Sequence, residues 1–312
     1  MSELTTFLLF VLGLVIVVVG SNLFLDTAVR LSRSMGLSEI VIGATLVSIG
    51  TTLPELLVST TAAAGGHSEM ALGNAIGSVI CNTALIAGFV QCVKPSAIDR
   101  KSFGKSSLMF FVSAAVFLIF AILFQGINRA GGIVLIALFM LYSFFMLNKT
   151  KTAVIAARNI RTVDRNGIVK DVALLIAEGA LMYIGAKFLV DYGSVLALWM
   201  GVPESVVSLS LVALGTSLPE LLTAVNALRK GHGAISLGNI IGANTMNLLL
   251  VSGTSSLIRP LSMPGWMLRI DLPFMVAVVA LLCIPALIKG RMMRWQGVAL
   301  LVCYALYLMY LF

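Results

Sequence analysis

Long apolar runs separated by short polar connections organise this chain. Taking about 20 apolar residues as one bilayer crossing, ten runs are expected to span, at roughly 4–25, 38–63, 69–93, 106–125, 130–148, 170–191, 203–228, 234–257, 267–288 and 293–311. The predicted fold is therefore an all-α integral membrane protein with ten transmembrane helices. Two of these runs, the second and the seventh, are interrupted by nearly the same hexapeptide: Gly50-Thr51-Thr52-Leu53-Pro54-Glu55 and Gly215-Thr216-Ser217-Leu218-Pro219-Glu220. At that offset of 165 positions residues 36–95 align with 201–260 without a gap, and roughly 24 of the 60 aligned positions are identical. The identities include Glu39 and Glu204, His67 and His232, Gly73-Asn74 and Gly238-Asn239, and Asn82 and Asn247. Rare polar residues matching in register are not an effect of composition.

Five spans per copy is an odd number, so the second copy enters the membrane from the opposite face. The expected organisation is two inverted five-helix repeats, residues 1–148 and 170–312, joined by a basic linker at 149–169. Inverted repeats with broken helices near the midplane are a recurring plan of secondary transporters.

Composition agrees with the pattern. The chain is 59% hydrophobic and 11% charged, with mean hydropathy +1.05, against about a quarter charged in soluble domains. The first run follows acidic Met1-Ser2-Glu3 and has no small-residue cleavage site, so it is expected to remain in the mature protein. Lys and Arg gather in alternate connections, around Arg30 and Arg33, Lys94 to Lys105, Lys149 to Lys170, Arg229 and Lys230, and Lys289 to Arg294. The other side holds Arg129, Arg259 and Arg269. The positive-inside rule makes the rich side cytoplasmic and sets both termini on the extracellular or periplasmic side of the plasma (cell inner) membrane. The net charge of +8 thus reports topology rather than a nucleic-acid partner. Cys81, Cys92, Cys283 and Cys303 lie in or beside apolar runs without metal-ligand spacing and are expected to be buried free thiols.

The interrupted runs carry the candidate chemistry. A proline lacks an N–H and clashes with the carbonyl four residues back, so Pro54 is expected to free the Gly50 carbonyl and bend the helix. An ionised side chain at membrane depth is costly and marks an ion or substrate pathway, which singles out Glu55 and Glu220. Ser48, Thr51, Thr52 and Glu55 recur at helical spacings, as do Asn74, Ser78 and Asn82 on the next helix. The second copy places Ala213, Thr216, Ser217 and Glu220, then Asn239, Ala243 and Asn247, with Asn244 alongside. Carboxylates, amides and hydroxyls are hard oxygen ligands that suit Ca²⁺ or Na⁺. Two carboxylates balance one Ca²⁺, two Na⁺ or two protons, so one site can hold these in turn, as an exchanger requires. Protons are expected to compete at low pH.

The paired G-T-[TS]-L-P-E motifs, each followed by G-N-x-I-G-[SA]-x-x-x-N, resemble the two alpha repeats of the calcium/cation antiporter superfamily, most closely its prokaryotic sodium/calcium exchanger branch. The resemblance covers the whole ten-helix plan. It implies that Glu55 and Glu220 are the central Ca²⁺ ligands, that Thr51 and Thr216 add oxygens, and that the first and sixth helices slide over a fixed eight-helix core. This chain departs from the pattern at Asn247, where members carry an acidic residue, and at Ala243, where they can carry a serine. The regulatory calcium-binding loop of long eukaryotic members is absent. The implied partners are inorganic cations and the lipid bilayer, with no nucleic acid and no cofactor beyond the transported Ca²⁺ and Na⁺ or H⁺; the sequence leaves the oligomeric state open, a monomer among the options.

Other readings meet specific obstacles. An intramembrane lipid-phosphate enzyme needs cationic clamps, whereas nearly every Lys and Arg here is in a connection. A passive channel is not forbidden, but a carboxylate pair gripping a divalent ion impedes fast release. K⁺ or H⁺ remain alternative coupling ions. Lys187 and Asp191 are expected to form a helical ion pair, His67 and His232 to be isolated loop residues, and Glu178 has no assigned role, with gating, proton linkage or snorkelling all open.

Overall fold

The computed structural model describes residues 3–34, 48–98, 100–154, 165–229 and 233–312. Their elements, in order, are α1 (Glu3–Ser34), α2 (Ser48–Gly65), α3 (Ser68–Ile80), α4 (Gly88–Val93), α5 (Arg100–Phe124), β1 (Gly126–Ile127), α6 (Arg129–Val154), α7 (Arg165–Met200), α8 (Glu204–Val207), α9 (Ala213–Thr216), α10 (Leu218–Arg229), α11 (Gly233–Met246), α12 (Ser252–Ile258), β2 (Leu261–Ser262), α13 (Leu272–Lys289) and α14 (Arg294–Leu311). Wider π-helical turns join α3 to α4 (Cys81–Ala87), α8 to α9 (Ser208–Val212) and α11 to α12 (Asn247–Val251), and another (Met267–Asp271) leads into α13. Helix occupies the greater part of every stretch expected to span. Glu39, Lys230 and His232 lie outside the described residues, as does much of the connection at 149–169.

Among the described residues six helices are long and apolar enough to cross a membrane, or seven if the bent pair Glu204–Thr216 and Leu218–Val225 counts as one span. Length and continuous apolarity are demanding tests for stretches that a polar motif dilutes or breaks. The enclosure of the spans differs sharply. Ser68–Val93 is 78% buried within its apolar window, whereas Glu3–Phe24 and Gly167–Met200 are 24% and 22% buried. The first and sixth expected spans are therefore peripheral and pack chiefly on each other. Exposed Leu4, Leu123, Ile176, Leu198 and Met309 form part of an outward apolar surface that suits lipid rather than water.

The two expected bends differ. Pro54 lies inside helix Ser48–Gly65, which continues through it. In the second copy Ser217 leaves the helical region (φ −83°, ψ 6°) and the chain bends by 42°. The difference follows from position: Pro219 enters in the first turn of α10, where its missing N–H has no intrahelical partner to lose.

β1 and β2 form a small antiparallel pair with Gly126 opposite Ser262 and Ile127 opposite Leu261, and a lone bridge joins Ala97 to Arg291. Shifting by 165 positions turns Gly126 into Arg291 and carries Ala97 onto Ser262, so the two pairings interchange. The flanking backbone bonds, Met263 N–H to Gln125 O at 2.9 Å and Ile98 N–H to Gly290 O at 3.2 Å, interchange in the same way. Gln125 (φ 48°) and Gly290 (φ 72°), which turn the chain at these points, both have left-handed backbones.

Candidate ion-binding site

The motif helices and the helices that follow them bring a set of oxygen atoms to the middle of the most enclosed part of the molecule. Glu55, Glu220, Thr51, Thr52, Thr216, Ser217, Ser78, Asn74, Asn82 and Asn247 are all buried. Four-residue spacing on α3 puts Asn74 and Ser78 on the face turned to α2. The Ser78 hydroxyl lies 3.4 Å from Glu55 Oε1, and Asn74 Nδ2 donates to the Glu55 carbonyl at 3.1 Å and to Ser59 Oγ at 2.9 Å. The second copy reaches the same carboxylate, with Ser217 Oγ 3.4 Å from Glu55 Oε1. Thr216 Oγ1 donates to Asn74 Oδ1 at 3.2 Å and stands 3.5 Å from Ser78 Oγ. In return the Thr51 hydroxyl of the first copy faces the Glu220 carboxylate. The two carboxylates are near enough to interact electrostatically.

Close backbone approach makes this possible. A Cβ added to Gly77 would sit 2.7 Å from the Leu209 carbonyl and 2.8 Å from the Ala213 side chain, so the glycine lets α3 lie directly against the seventh expected span.

The distinctive feature is what the protein leaves unbonded. Among the described residues Glu55 Oε2, Glu220 Oε2, both polar atoms of Asn82, Asn247 Oδ1 and Asn244 Oδ1 are buried without a hydrogen-bond partner. Such atoms normally find partners, and here they are mostly hard acceptors. Asn82 and Asn247 lie in equivalent π-helical turns, Cys81–Ala87 and Asn247–Val251, a distortion common at functional sites. Each turn packs on the opposite copy: the first against α10, the second against α2.

Not every expected ligand is aimed alike. The Thr52 hydroxyl lies 3.7 Å from Met246 Sδ. Ala213 has no side-chain donor, and its carbonyl already accepts from the Ser217 N–H at 3.1 Å. The side chain of Ser48 lies outside what is described. Asn74 and Ser59 stitch the site together although neither carries charge, and Asn244 Nδ2 donates to Thr83 Oγ1 at 2.8 Å.

Two peripheral expectations change, and one buried acid is added to them. Lys187 and Asp191 are not within ion-pair distance of each other; both instead line a cavity of about 300 Å³ with Thr60, Thr61 and Tyr183. His67 is not isolated, because its Nδ1 is 2.9 Å from both carboxylate oxygens of Glu204 and 3.2 Å from Ser194 Oγ. Asp271 is a further buried acid, within the ninth expected span; Tyr307 donates to its Oδ1 at 2.7 Å. Its sequence signal was an aspartate inside a span rather than in a connection. The four cysteines are unpaired, with Cys81 and Cys283 buried.

Comparison with known proteins agrees with this architecture. Residues 5–148 and 170–312 match the family model described as sodium/calcium exchanger protein. The sodium/calcium exchanger MaX1 of Methanosarcina acetivorans is 33% identical, with 98% of each chain covered. The putative antiporter CaxA of Alkalimonas amylolytica is 29% identical, with 90% of each covered. Among solved structures, the sodium-calcium exchanger NCX_Mj superposes with a TM-score of 0.66 at 29% identity, over 100% of both chains. With an all-helical fold, membrane-crossing helices and a family match over nearly its whole length, this chain belongs to the sodium/calcium exchanger protein family and is a multi-pass membrane antiporter rather than an enzyme.

Proposed function

We propose that this protein exchanges Ca²⁺ for Na⁺ across the plasma (cell inner) membrane by alternating access at a site centred on Glu55 and Glu220. The observation that carries the reading is the pair of buried carboxylates, each with an unpartnered Oε2, inside a shell of hydroxyl and amide oxygens drawn from both motif copies. Burying two such charges is costly without a compensating cation, and a hard divalent ion matches both their charge and their ligand type. Thr51, Thr216, Ser78, Ser217, Asn82 and Asn247 complete the set, with Thr52, Ser48 and the backbone at Ala213 at its edge.

The frame of the proposal is ten spans in two inverted five-helix repeats, 1–148 and 170–312, joined by a cytoplasmic linker at 149–169, with both termini outside. Two observations support it. The family model aligns in blocks on either side of that linker. The two short backbone pairings, at Gly126 and at Ala97, exchange under the repeat offset, as an approximate two-fold relation requires. The first and sixth spans move in this scheme, in keeping with their peripheral packing.

Calcium-45 uptake into proteoliposomes under imposed Na⁺, K⁺ or pH gradients tests the reading. Uptake driven by an outward Na⁺ gradient is expected. Uptake driven by a pH or K⁺ gradient alone would transfer the coupling to that ion, and uptake independent of every counter-ion would indicate a channel.

A further inference from the structure

We infer that Thr27, Arg30, Asp171 and Glu178 form a clasp at the cytoplasmic ends of α1 and α7 that holds these helices in register as a single moving body. The inference rests on the alternating-access reading and adds positioning residues to it.

The two helices run antiparallel along a shared contact line. A Cβ on Gly13 would lie 2.9 Å from the Gly185 carbonyl, and one on Gly185 would lie 2.9 Å from the Gly13 carbonyl, so the backbones touch there. A Cβ on Gly20 would meet Met182 at 2.7 Å. Further along, Thr27 reaches Glu178 and Arg30 reaches Asp171. Around the glycines the partners are Ile16, Val17, Met182 and Phe188, and apolar contact of this kind is not directional. Close approach at the glycines opposes sliding by steric fit alone, with no directional bond to fix the register.

The clasp supplies direction. Thr27 Oγ1 donates to Glu178 Oε1 at 3.0 Å and accepts from Arg30 Nη2 at 3.1 Å, while Arg30 Nε donates to Asp171 Oδ1 at 2.9 Å. The four groups form one chain, carboxylate to guanidinium to hydroxyl to carboxylate. The ionised groups make these bonds charge-assisted; Thr27 is only 2% exposed and Asp171 6%, while the Arg30 side chain is 53% exposed, so the chain is shielded at its hydroxyl and at Asp171 and open to solvent at the guanidinium. A slip of one turn, about 5.4 Å, would break both bonds that cross between the helices, Thr27 to Glu178 and Arg30 to Asp171.

This also assigns Glu178. Its Oε2 is buried, which excludes a carboxylate that snorkels to the interface. No group of three or more His, Cys, Asp or Glu side chains able to hold a metal ion occurs among the described residues. Glu178 Oε1 accepts the hydrogen bond from Thr27 at 3.0 Å.

The test uses purified full-length protein in proteoliposomes, with Thr27→Val and Glu178→Leu to break the clasp and Thr27→Ser and Glu178→Gln to keep its geometry. Two readouts are taken. The maximal rate of Ca²⁺ uptake should fall about tenfold in the breaking variants, the effect of losing one charge-assisted bond, with half-saturating Ca²⁺ unchanged, and both conservative variants should restore the rate. Independently of cargo, spin labels at exposed Leu4 and Ile176, in a background without native cysteines, should give one narrow distance distribution that is the same in Na⁺ and in Ca²⁺. Thr27→Val should broaden it and Thr27→Ser should restore it. Broadening in a protein that shows no Ca²⁺ uptake under any gradient would keep the clasp and overturn the transport reading. Uptake with a distance distribution that Thr27→Val leaves unchanged, a wild-type distance that differs between Na⁺ and Ca²⁺, or a change in half-saturating Ca²⁺ without one in rate would each overturn the clasp.

Discussion

Ser217 Oγ stands 3.4 Å from Glu55 Oε1, although 162 residues separate them in the chain. The contact joins the two motif copies directly, and Thr51 facing Glu220 is its reciprocal. Each carboxylate is thus attended by a hydroxyl from the other copy. An ion in this shell would meet oxygens of both copies, and a ligand with different affinity for two arrangements of the surrounding helices shifts the balance between them.

Glu55→Gln and Glu220→Gln should each abolish divalent uptake while leaving the protein folded. A unit charge about 4 Å from a cation contributes about 4 kcal/mol at an effective dielectric of about 20, so the loss in Ca²⁺ affinity should reach two orders of magnitude or more. Calcium-45 uptake, with gel-filtration profiles as the control for folding, measures this; wild-type rates in either variant would remove that residue from the site.

Ser217→Ala should be milder. It deletes one hydroxyl near a carboxylate that has other partners, so about 1 kcal/mol is at stake. Half-saturating Ca²⁺ should rise about fivefold, and an unchanged value would show that the hydroxyl braces the empty site and leaves the ion untouched.

Asn247→Asp places a third carboxylate in the π-helical turn packed on α2. The number or affinity of coupled monovalent ions should change, with Ca²⁺ binding at the glutamate pair retained. Hill coefficients for Na⁺ and current per Ca²⁺ in the two proteins decide this, and identical values would separate position 247 from stoichiometry.

Gly126→Val should destabilise the protein without touching the site. Gly126 has φ +150° and any Cβ there would collide with the Leu261 carbonyl, so strain of about 1–3 kcal/mol is expected. Thermal unfolding in detergent should shift down by several degrees, and an unaltered midpoint would mean that the β1–β2 pairing yields freely.

The first and sixth helices should change accessibility with the bound ion. A cysteine scan over residues 17–28 and 182–194, in a background without native cysteines, should show labelling that shifts when Na⁺ replaces Ca²⁺. Ion-independent labelling along both helices would sink the sliding scheme.

Local composition and order along the chain were enough to mark a helical membrane protein and the paired motifs, and to single out the two glutamates as candidates for the chemical centre. A bilayer demands long apolar runs, and an acid inside one stands out at once; both properties are carried by single stretches of sequence. Which oxygens meet was a different matter. That Ser217 turns to Glu55, that Thr52 turns to Met246 and that Asn74 ties Ser59 to Thr216 depend on how the helices approach, and periodicity gives a face without naming what lies opposite it. Prolines in the same motif behave differently because Pro219 opens a helix and Pro54 lies within one. Spacing alone paired Lys187 with Asp191, whereas the folded chain turns both to a cavity beside Thr60 and Thr61. Likewise Glu178 had no assignment in sequence because its partner Thr27 is 151 residues away. Contacts across such separations are set only when α1 and α7 close on each other through Gly13 and Gly185, since only tertiary packing brings distant donors within bonding reach of a buried charge.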